Sequence, residues 1–307
     1  MKLRTFLFCF LCFTASAIAK PHPPPSGFAI DIEWLYMSNP IDRPYFIEQT
    51  GFSSNRRYAN SPGWHSGYRL DGMYDFCLDD ALDIRWTHFP TFSHSSSVSS
   101  SNFDLSTLLF PPSSEPANFG SIKDTFSFHA LELIYARQLY QCCPFTVWVE
   151  GGLQYAHIAL EENVFYNSTI QDSANYSSKT DGVGLELGTE MEFALLNNFA
   201  LELRAQTGLL VSKRRTSVNY SGMIGKSPVS GNVQPDPIWD LIPTVDMRLG
   251  LNYSLWCGCL LIDFEAGYEF FSYFNSITRV DDRVTLEQFA FIDYMMHGFY
   301  IQTGISF

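Results

Sequence analysis

The stretch Met296-His-Gly-Phe-Tyr-Ile-Gln-Thr-Gly-Ile-Ser-Phe307 alternates strictly between two kinds of residue. Counted back from the end, every second residue is apolar or Thr: Phe307, Ile305, Thr303, Ile301 and Phe299. The residues between them are small or polar. Because successive side chains of a strand point to opposite faces, this pattern predicts a strand with one apolar face. A last strand that ends on Phe is also what the barrel assembly machinery of the outer membrane reads. Phe307 is therefore our candidate assembly signal, and the first hypothesis is a bacterial outer-membrane β-barrel.

The first nineteen residues have the organisation of a secretory signal peptide. Lys2 and Arg4 precede an apolar run over 6–13, and Ala17 and Ala19 are small residues at a cleavage position. This run is too short to span a bilayer as a retained helix. We expect residues 1–19 to be removed and residues 20–307 to form one domain. No later stretch offers the roughly 18 apolar residues of a transmembrane helix, so only strands could cross a membrane.

Long and short connectors alternate along the rest of the chain. Ten strands are predicted, near 28–38, 64–76, 81–89, 124–137, 145–160, 180–194, 199–212, 239–254, 260–273 and 291–307. Long connectors cover 39–63, 90–123, 161–179, 213–238 and 274–290, and short ones cover 77–80, 138–144, 195–198 and 255–259. Transmembrane barrels have long extracellular loops and short periplasmic turns. The prediction is an all-β antiparallel barrel of about ten strands, with twelve as the alternative if the longest loops hide a hairpin.

Every second residue of a strand faces the same side, and this parity of position places many charges on the inner face. The acidic residues predicted to line the lumen are Glu186, Glu190, Glu192, Glu202, Asp263, Glu265 and Glu269, with further carboxylates at Asp31, Glu33, Asp71, Asp75, Asp83, Glu132, Glu150 and Asp246. The basic partners are fewer: Arg69, Arg85, Arg204 and Arg248. Because unpaired carboxylates are costly in a dry interior, we expect a wet lumen.

An acidic lumen favours a pore for small cationic solutes, since rings of carboxylates lower the barrier for positive charge. The first alternative is a network of salt bridges that fills a narrow barrel. The second is a non-conducting barrel that binds ligands or surfaces through its long loops. The net charge of −13 argues against nucleic acid as a partner. Expected partners are outer-membrane lipid, the assembly machinery and other envelope proteins.

The cysteines outside the signal peptide fall in or beside the predicted periplasmic turns. They are Cys77, Cys142, Cys143, Cys257 and Cys259. Exported chains meet oxidising conditions, and an odd number leaves at least one thiol free or bonded to another molecule. These five residues are our disulfide candidates, within the chain or to a neighbouring envelope protein. The spacing does not match a metal site, so we predict no metal and no cofactor.

Catalysis is the weakest hypothesis. Barrels with surface protease activity use Asp and His near the outer rim, which directs attention to His94, His157, Asp281 and Asp282. No compact Asp/His pairing appears among them in the sequence. We predict no enzymatic activity and propose no catalytic residues.

Four blocks of sequence carry a family resemblance. Trp64-His-Ser-Gly-Tyr-Arg-Leu-Asp-Gly-Met-Tyr-Asp75 resembles the second-strand signature of Legionella-type major outer-membrane proteins, which also occur in chlamydia-like bacteria. Phe128-His-Ala-Leu-Glu-Leu133, Gly151-Gly-Leu-Gln-Tyr-Ala156 and Gly182-Val-Gly-Leu-Glu-Leu-Gly188 extend the similarity. The resemblance implies an abundant pore-forming protein, sometimes linked to its neighbours by disulfides, and no catalytic residues.

Overall fold

The computed structural model describes residues 27–39, 45–49, 56–59, 63–77, 79–100, 105–107, 117–167, 171–195, 198–224, 227–280 and 289–307. The predicted signal peptide and Asp281 and Asp282 lie outside these residues. Ten long strands form the barrel: β1 (Gly27–Ser38), β4 (Trp64–Cys77), β5 (Asp80–Ser99), β7 (Phe119–Cys142), β8 (Phe145–Asn167), β9 (Gln171–Ala194), β10 (Phe199–Ile224), β12 (Ile238–Cys257), β13 (Leu260–Val280) and β14 (Phe289–Ser306). Over this part of the chain, no helix has the length and apolarity needed to cross a membrane.

Hydrogen bonding closes the sheet on itself. Each long strand pairs antiparallel with the next in the chain, and β1 pairs with both β4 and β14. The seam runs from Ala29 opposite Ser306 to Ser38 opposite His297. Phe28 and Phe307 exchange backbone hydrogen bonds of 2.9 Å at its periplasmic end. The barrel therefore has ten strands, as the alternation of connectors predicted, and not twelve.

The strands continue well past the predicted extracellular limits. The predicted loop over 161–179 is a strand hairpin, because β8 runs to Asn167 and β9 begins at Gln171. The predicted loop over 213–238 holds the end of β10 and a further strand, β11 (Ser227–Val233), paired with it. The predicted loop boundaries at 90–123 and 274–290 are wrong in the same way, since β5, β7, β13 and β14 all extend into them.

Alternation in these extensions has the opposite sense to that in the membrane. Ile122, Val164 and Val218 point inward and are buried, whereas Lys123, Asn163 and Asn219 point outward and are exposed. Water surrounds this part of the barrel, so the apolar face turns inside.

Three short strands, β2 (Tyr45–Gln49), β3 (Arg56–Ala59) and β6 (Leu105–Thr107), form a small sheet in the order β3-β2-β6.

The membrane-spanning part carries its apolar side chains outside. Ile30, Ile32, Leu185, Leu187 and Leu203 are exposed in the middle of this band. Exposed aromatic residues border it at both ends, and they include Phe28, Tyr74, Phe76 and Phe307 on one side and Trp34, Tyr36, Trp64 and Tyr68 on the other. An apolar belt between aromatic girdles is the pattern of an outer-membrane barrel surface.

Candidate functional site inside the barrel

The periplasmic half of the barrel encloses a cavity of about 670 Å³ that we call the acidic cavity. It reaches the periplasmic turns, where Cys143, Pro144 and Cys259 contribute to its lining. Among the described residues, ten carboxylate side chains and three arginines line it. The carboxylates are Asp31, Asp71, Asp75, Asp83, Glu150, Glu190, Glu192, Glu202, Asp263 and Glu265, and the arginines are Arg85, Arg204 and Arg248. The excess of carboxylates makes the cavity a region of negative potential.

Six of the residues predicted for the inner face lie outside the lining of the acidic cavity. Glu33, Arg69 and Glu269 are ion-paired beside it, and Glu132 is paired with Arg85. Glu186 and Asp246 line a very small pocket of about 10 Å³. Parity had placed each of them on the inner face, where the structure also has them. The alternation along a strand could not distinguish inner-face residues that line the acidic cavity from inner-face residues that are buried in ion pairs and hydrogen bonds.

A chain of ion pairs, which we call the central ion-pair chain, joins five buried side chains. Two nitrogens of Arg69 bind the carboxylate of Glu269 at 2.5 and 2.9 Å, and Arg69 also binds Glu33 at 3.1 Å. Glu33 binds Arg248 at 2.6 Å, and Arg248 binds Glu265 at 2.9 Å. The residues come from β13, β4, β1 and β12, which are close in the strand order β12-β13-β14-β1-β4. The side chains of Glu33 and Glu269 have no solvent exposure, so the chain is closed to solvent around Arg69, whereas Arg248 and Glu265 also line the acidic cavity.

A second group of polar contacts reaches across the barrel. Arg85 binds Asp71, Asp83 and Glu132 at 3.0–3.3 Å on the neighbouring strands β4, β5 and β7. Gln154 on β8 donates to Glu132 at 3.3 Å and to the hydroxyl of Tyr273 on β13 at 3.0 Å. The contact with Tyr273 spans the interior, since β8 and β13 are not neighbours in the sheet.

Aromatic side chains close the interior above these polar groups. Phe128 on β7 stacks with Phe271 on β13 at a ring distance of 5.3 Å and with Tyr294 on β14 at 5.2 Å. Phe89 lies 6.2 Å from both Phe128 and Phe271. In a ring of ten strands, β7 and β13 lie opposite each other. Contact between opposite walls means that these side chains, with Tyr273, occlude the barrel; we call them the aromatic plug.

The upper part of β13 adds to the closure. Its register shifts between Tyr273 and Ile277, and Asn275 has a φ of 53°. Asn tolerates this left-handed conformation better than most residues, and a bulge bends the strand. The bend carries Ser276 across to β9, where its carbonyl accepts a 2.6 Å hydrogen bond from Thr180. Arg214 on β10 binds the hydroxyl of Thr278 at 3.0 Å.

Residues from the small sheet fill the extracellular end. Phe46 and Leu105 are buried against inward side chains of the strand extensions, among them Val164 and Tyr166. The hydroxyl of Tyr166 donates to the carbonyl of Phe46 at 2.6 Å. The open space that the carboxylates predicted lies in the periplasmic half, whereas buried side chains, among them Phe46, Tyr166 and Arg214, occupy the extracellular half. The sequence signal for this was the run of inward apolar residues in segments interpreted as loops.

The cysteines lie at the periplasmic rim. Cys142, Cys143, Cys257 and Cys259 are exposed, and each carries a free thiol. Cys142 ends β7 and Cys257 ends β12, whereas Cys143 and Cys259 lie in the turns. Cys77 ends β4, and its side chain is outside the described residues. A reducible link between turns or to another protein stays a prediction.

The histidines considered for catalysis lie on different faces. His94 points inward beside His65, with 2.5 Å between their Nε2 atoms. His157 points outward and pairs with Asp181 at 2.7 Å. Where the chain is described, there is no group of three or more His, Cys, Asp or Glu residues arranged for a metal ion.

The chain is similar to one family profile and, at low identity, to several solved structures. A family profile described as "Legionella pneumophila major outer membrane protein precursor" matches residues 22–307. No curated protein sequence matches the chain. The solved structures with similar folds include the outer membrane protease OmpT from Escherichia coli, at 9% identity, covering 95% of this chain and 99% of that one, with a TM-score of 0.44. They also include the Pseudomonas putida toluene transporter TodX, at 10% identity, 96% and 91% coverage and a TM-score of 0.36. OprG from Pseudomonas aeruginosa matches at 12% identity, 93% and 98% coverage and a TM-score of 0.32.

Proposed function

The chain belongs to the Legionella major outer membrane protein family and resides in the bacterial outer membrane, and from this premise we propose that it is a porin-like barrel. Its proposed role is passive diffusion of small solutes, with a preference for cations. The proposal includes no catalytic step and no cofactor.

The acidic cavity is the observation that carries this proposal. Ten carboxylates against three arginines line a space of about 670 Å³ that reaches the periplasmic turns. Carboxylate-lined openings concentrate cations and exclude anions, which is how charged rings set the selectivity of channels. Glu190, Glu192 and Glu202 lie on one wall of the cavity, where Glu192 and Glu202 are directly opposite each other on β9 and β10.

Passage through the barrel requires movement of the aromatic plug. The rings of Phe128 and Phe271 stack across the interior, so the barrel is closed in this conformation. Aromatic contacts between opposite walls are separate from the hydrogen bonds of the strands. They can therefore rearrange without loss of the barrel. We propose that solutes pass when these rings change rotamer and the side chains of the small sheet, such as Phe46, leave the extracellular end.

Single-channel recording on the refolded protein in a planar bilayer with a KCl gradient tests the proposal. We expect a reversal potential of cation-selective sign. The triple substitution Glu190→Gln, Glu192→Gln and Glu202→Gln should shift it toward zero. Asp181→Asn removes a carboxylate on the outer face and serves as the control, with no shift expected. Anion selectivity of the unmodified barrel would overturn the cation preference.

A matched pair of variants tests the plug. Phe128→Ala with Phe271→Ala should raise the conductance or the open time of the channel. Phe28→Ala with Phe299→Ala removes two rings from the lipid-facing surface and should leave both unchanged. If neither the unmodified barrel nor the plug variant conducts, the pore proposal fails.

The closed interior favours a second candidate function, a non-conducting barrel that binds ligands or surfaces through its extracellular parts. The β10–β11 hairpin, which pairs from Val218 opposite Val233 to Ile224 opposite Ser227, is one such part. Cells carrying a barrel without residues 222–231 should then adhere less than cells with the intact barrel. Unchanged adhesion, together with channel activity, would discard this candidate.

We also propose a structural envelope role for the periplasmic thiols. Cys142, Cys143, Cys257 and Cys259 are exposed in a compartment that permits disulfides. Non-reducing gels of isolated membranes should show high-mass species that reductant converts to monomer. Serine substitution of these four residues together with Cys77 should remove those species. Their persistence would assign the cross-link to other groups.

A further inference from the structure

Three cations lie together on the outer face of β9 and β10, just above the apolar band. Lys179 and Arg215 are directly opposite each other in the register, and Lys213 is opposite Asp181. Lys179 and Arg215 are exposed, and Lys213 is half-exposed. The next outward residues toward the membrane are Val183 and Val211, both exposed and apolar. We call Lys179, Lys213 and Arg215 the cationic strip.

Uncharged polar side chains cover the same strands beyond the strip. Asn163, Asn175 and Asn219 lie side by side on β8, β9 and β10. They line a surface groove of about 740 Å³, together with Ser173, Ser221 and Phe165. Asn175 donates to Asn163 at 2.6 Å, and the hydroxyls of Ser173 and Ser221 lie 2.9 Å apart. Amides, hydroxyls and one aromatic ring are the groups that bind sugars.

Stability alone does not account for these residues. Like charges directly opposite on neighbouring strands are destabilising, which applies to Lys179 and Arg215. Asn is among the residues depleted in strands, yet three of them occupy one row. The acids near the strip are fewer than the cations: Glu161 lies 3.4 Å from Lys179, and Asp181 lies 3.7 Å from Arg215. Lys213 lies over the ring of Trp239 at 5.7 Å.

We infer that this face binds a phosphorylated glycolipid of the outer leaflet. From the membrane outward, the strands present an apolar surface, then the cationic strip, then the groove. A glycolipid presents acyl chains, phosphates and sugars in the same order. Arg and Lys bind phosphate by charge-assisted hydrogen bonds, and a phosphate between Lys179 and Arg215 would remove their repulsion. The inference rests on the membrane location and not on whether the barrel conducts.

The position of the cationic strip also indicates which kind of anion binds. A free sugar or a soluble protein would not need cations placed at the edge of the lipid-facing band. The acyl chains of a membrane lipid hold its phosphate at the edge of the apolar band. The phosphate therefore lies at the same height as the cationic strip. Basic residues near an anionic membrane surface each add to such binding.

The experiment measures binding to the delipidated, refolded barrel in detergent micelles by isothermal titration. The probes are purified rough-type lipopolysaccharide, the same lipid after removal of its phosphates, its free core oligosaccharide, and inorganic phosphate. The strip variant carries Lys179→Ser, Lys213→Ser and Arg215→Ser. The control variant carries Arg56→Ser, Arg57→Ser and Arg137→Ser, which removes the same charge from exposed positions elsewhere.

Intact lipid should bind the unmodified and control barrels about tenfold or more tightly than the strip variant, since each interfacial cation contributes several-fold. Dephosphorylated lipid should bind all three barrels only as weakly as intact lipid binds the strip variant. Inorganic phosphate, at the concentration used for the lipid, should not bind. Asn163→Val, Asn175→Val and Asn219→Val together should weaken the binding of intact lipid and of the free core oligosaccharide. Equal lipid affinity in the strip and control variants would overturn the inference, as would equal binding of free phosphate.

Discussion

Replacing Arg69 by Met tests whether the central ion-pair chain is dry. The substitution removes both hydrogen bonds that the Glu269 carboxylate accepts from the guanidinium, at 2.5 and 2.9 Å. The side chain of Glu269 has no solvent exposure. It would therefore remain as a buried carboxylate without its cation. Glu33 is affected less, because Arg248 still binds it at 2.6 Å.

The magnitude follows from the burial of the pair. Removing one partner of a buried ion pair costs about 3–5 kcal/mol, because the other charge stays uncompensated. Replacing both partners by apolar residues of similar volume is about neutral. We therefore expect Arg69→Met to lower the free energy of unfolding by roughly 3–5 kcal/mol, and Arg69→Met with Glu269→Leu to recover most of that loss.

Urea unfolding of the barrel in lipid vesicles, followed by tryptophan fluorescence, measures both quantities. The paired control is Arg137→Met, at an exposed position where the ion pair with Asp80 is 3.8 Å long. It should change the unfolding free energy by about 0–1 kcal/mol. A loss below about 1 kcal/mol for Arg69→Met would refute the reasoning, because water would then be solvating Glu269. Water would then reach the interior at the height of Arg69 and Glu269, where the ion pairs of the central ion-pair chain exclude it in this structure.

Three further predictions follow from the strand contacts and the rim. A Cβ on Gly298 would lie 2.2 Å from the backbone oxygen of Tyr36, whereas one on Gly72 would have no atom within 4 Å. Gly298→Ala should therefore reduce the yield of heat-modifiable folded barrel on gels, Gly72→Ala should not, and equal yields would contradict the close strand approach. Phe307→Ser should lower the amount of barrel in the outer membrane several-fold in cell fractionation, with Phe307→Tyr restoring it; normal levels would discard the assembly signal. After treatment with a reductant, Cys143 should react with a membrane-impermeant maleimide only once the outer membrane is permeabilised, and labelling in intact cells would reverse the assigned orientation.

The sequence predicted the transmembrane part of the fold well because its signal is local. Period-two alternation marks which side chains face lipid, and short turns such as Cys143-Pro144 separate neighbouring strands. Inner-face charges such as Arg69 and Glu269 could be assigned from parity alone. The extracellular extensions were missed because their Ser and Asn content was interpreted as loop. Alternation was present there too, as in Ser173-Ala174-Asn175-Tyr176, but with the apolar Ala174 and Tyr176 inside.

Parity along the chain thus determined, without any coordinates, that a ten-stranded cylinder has an apolar outside and an acidic inside. Only the tertiary structure decided which inner residues meet. Arg69 and Glu269 are 200 positions apart, and Phe128 contacts Phe271 across the interior. The height of each residue depends on the stagger between strands around the whole ring, and no local pattern records that stagger. For this reason the sequence predicted a wet lumen, and the fold closed its upper half.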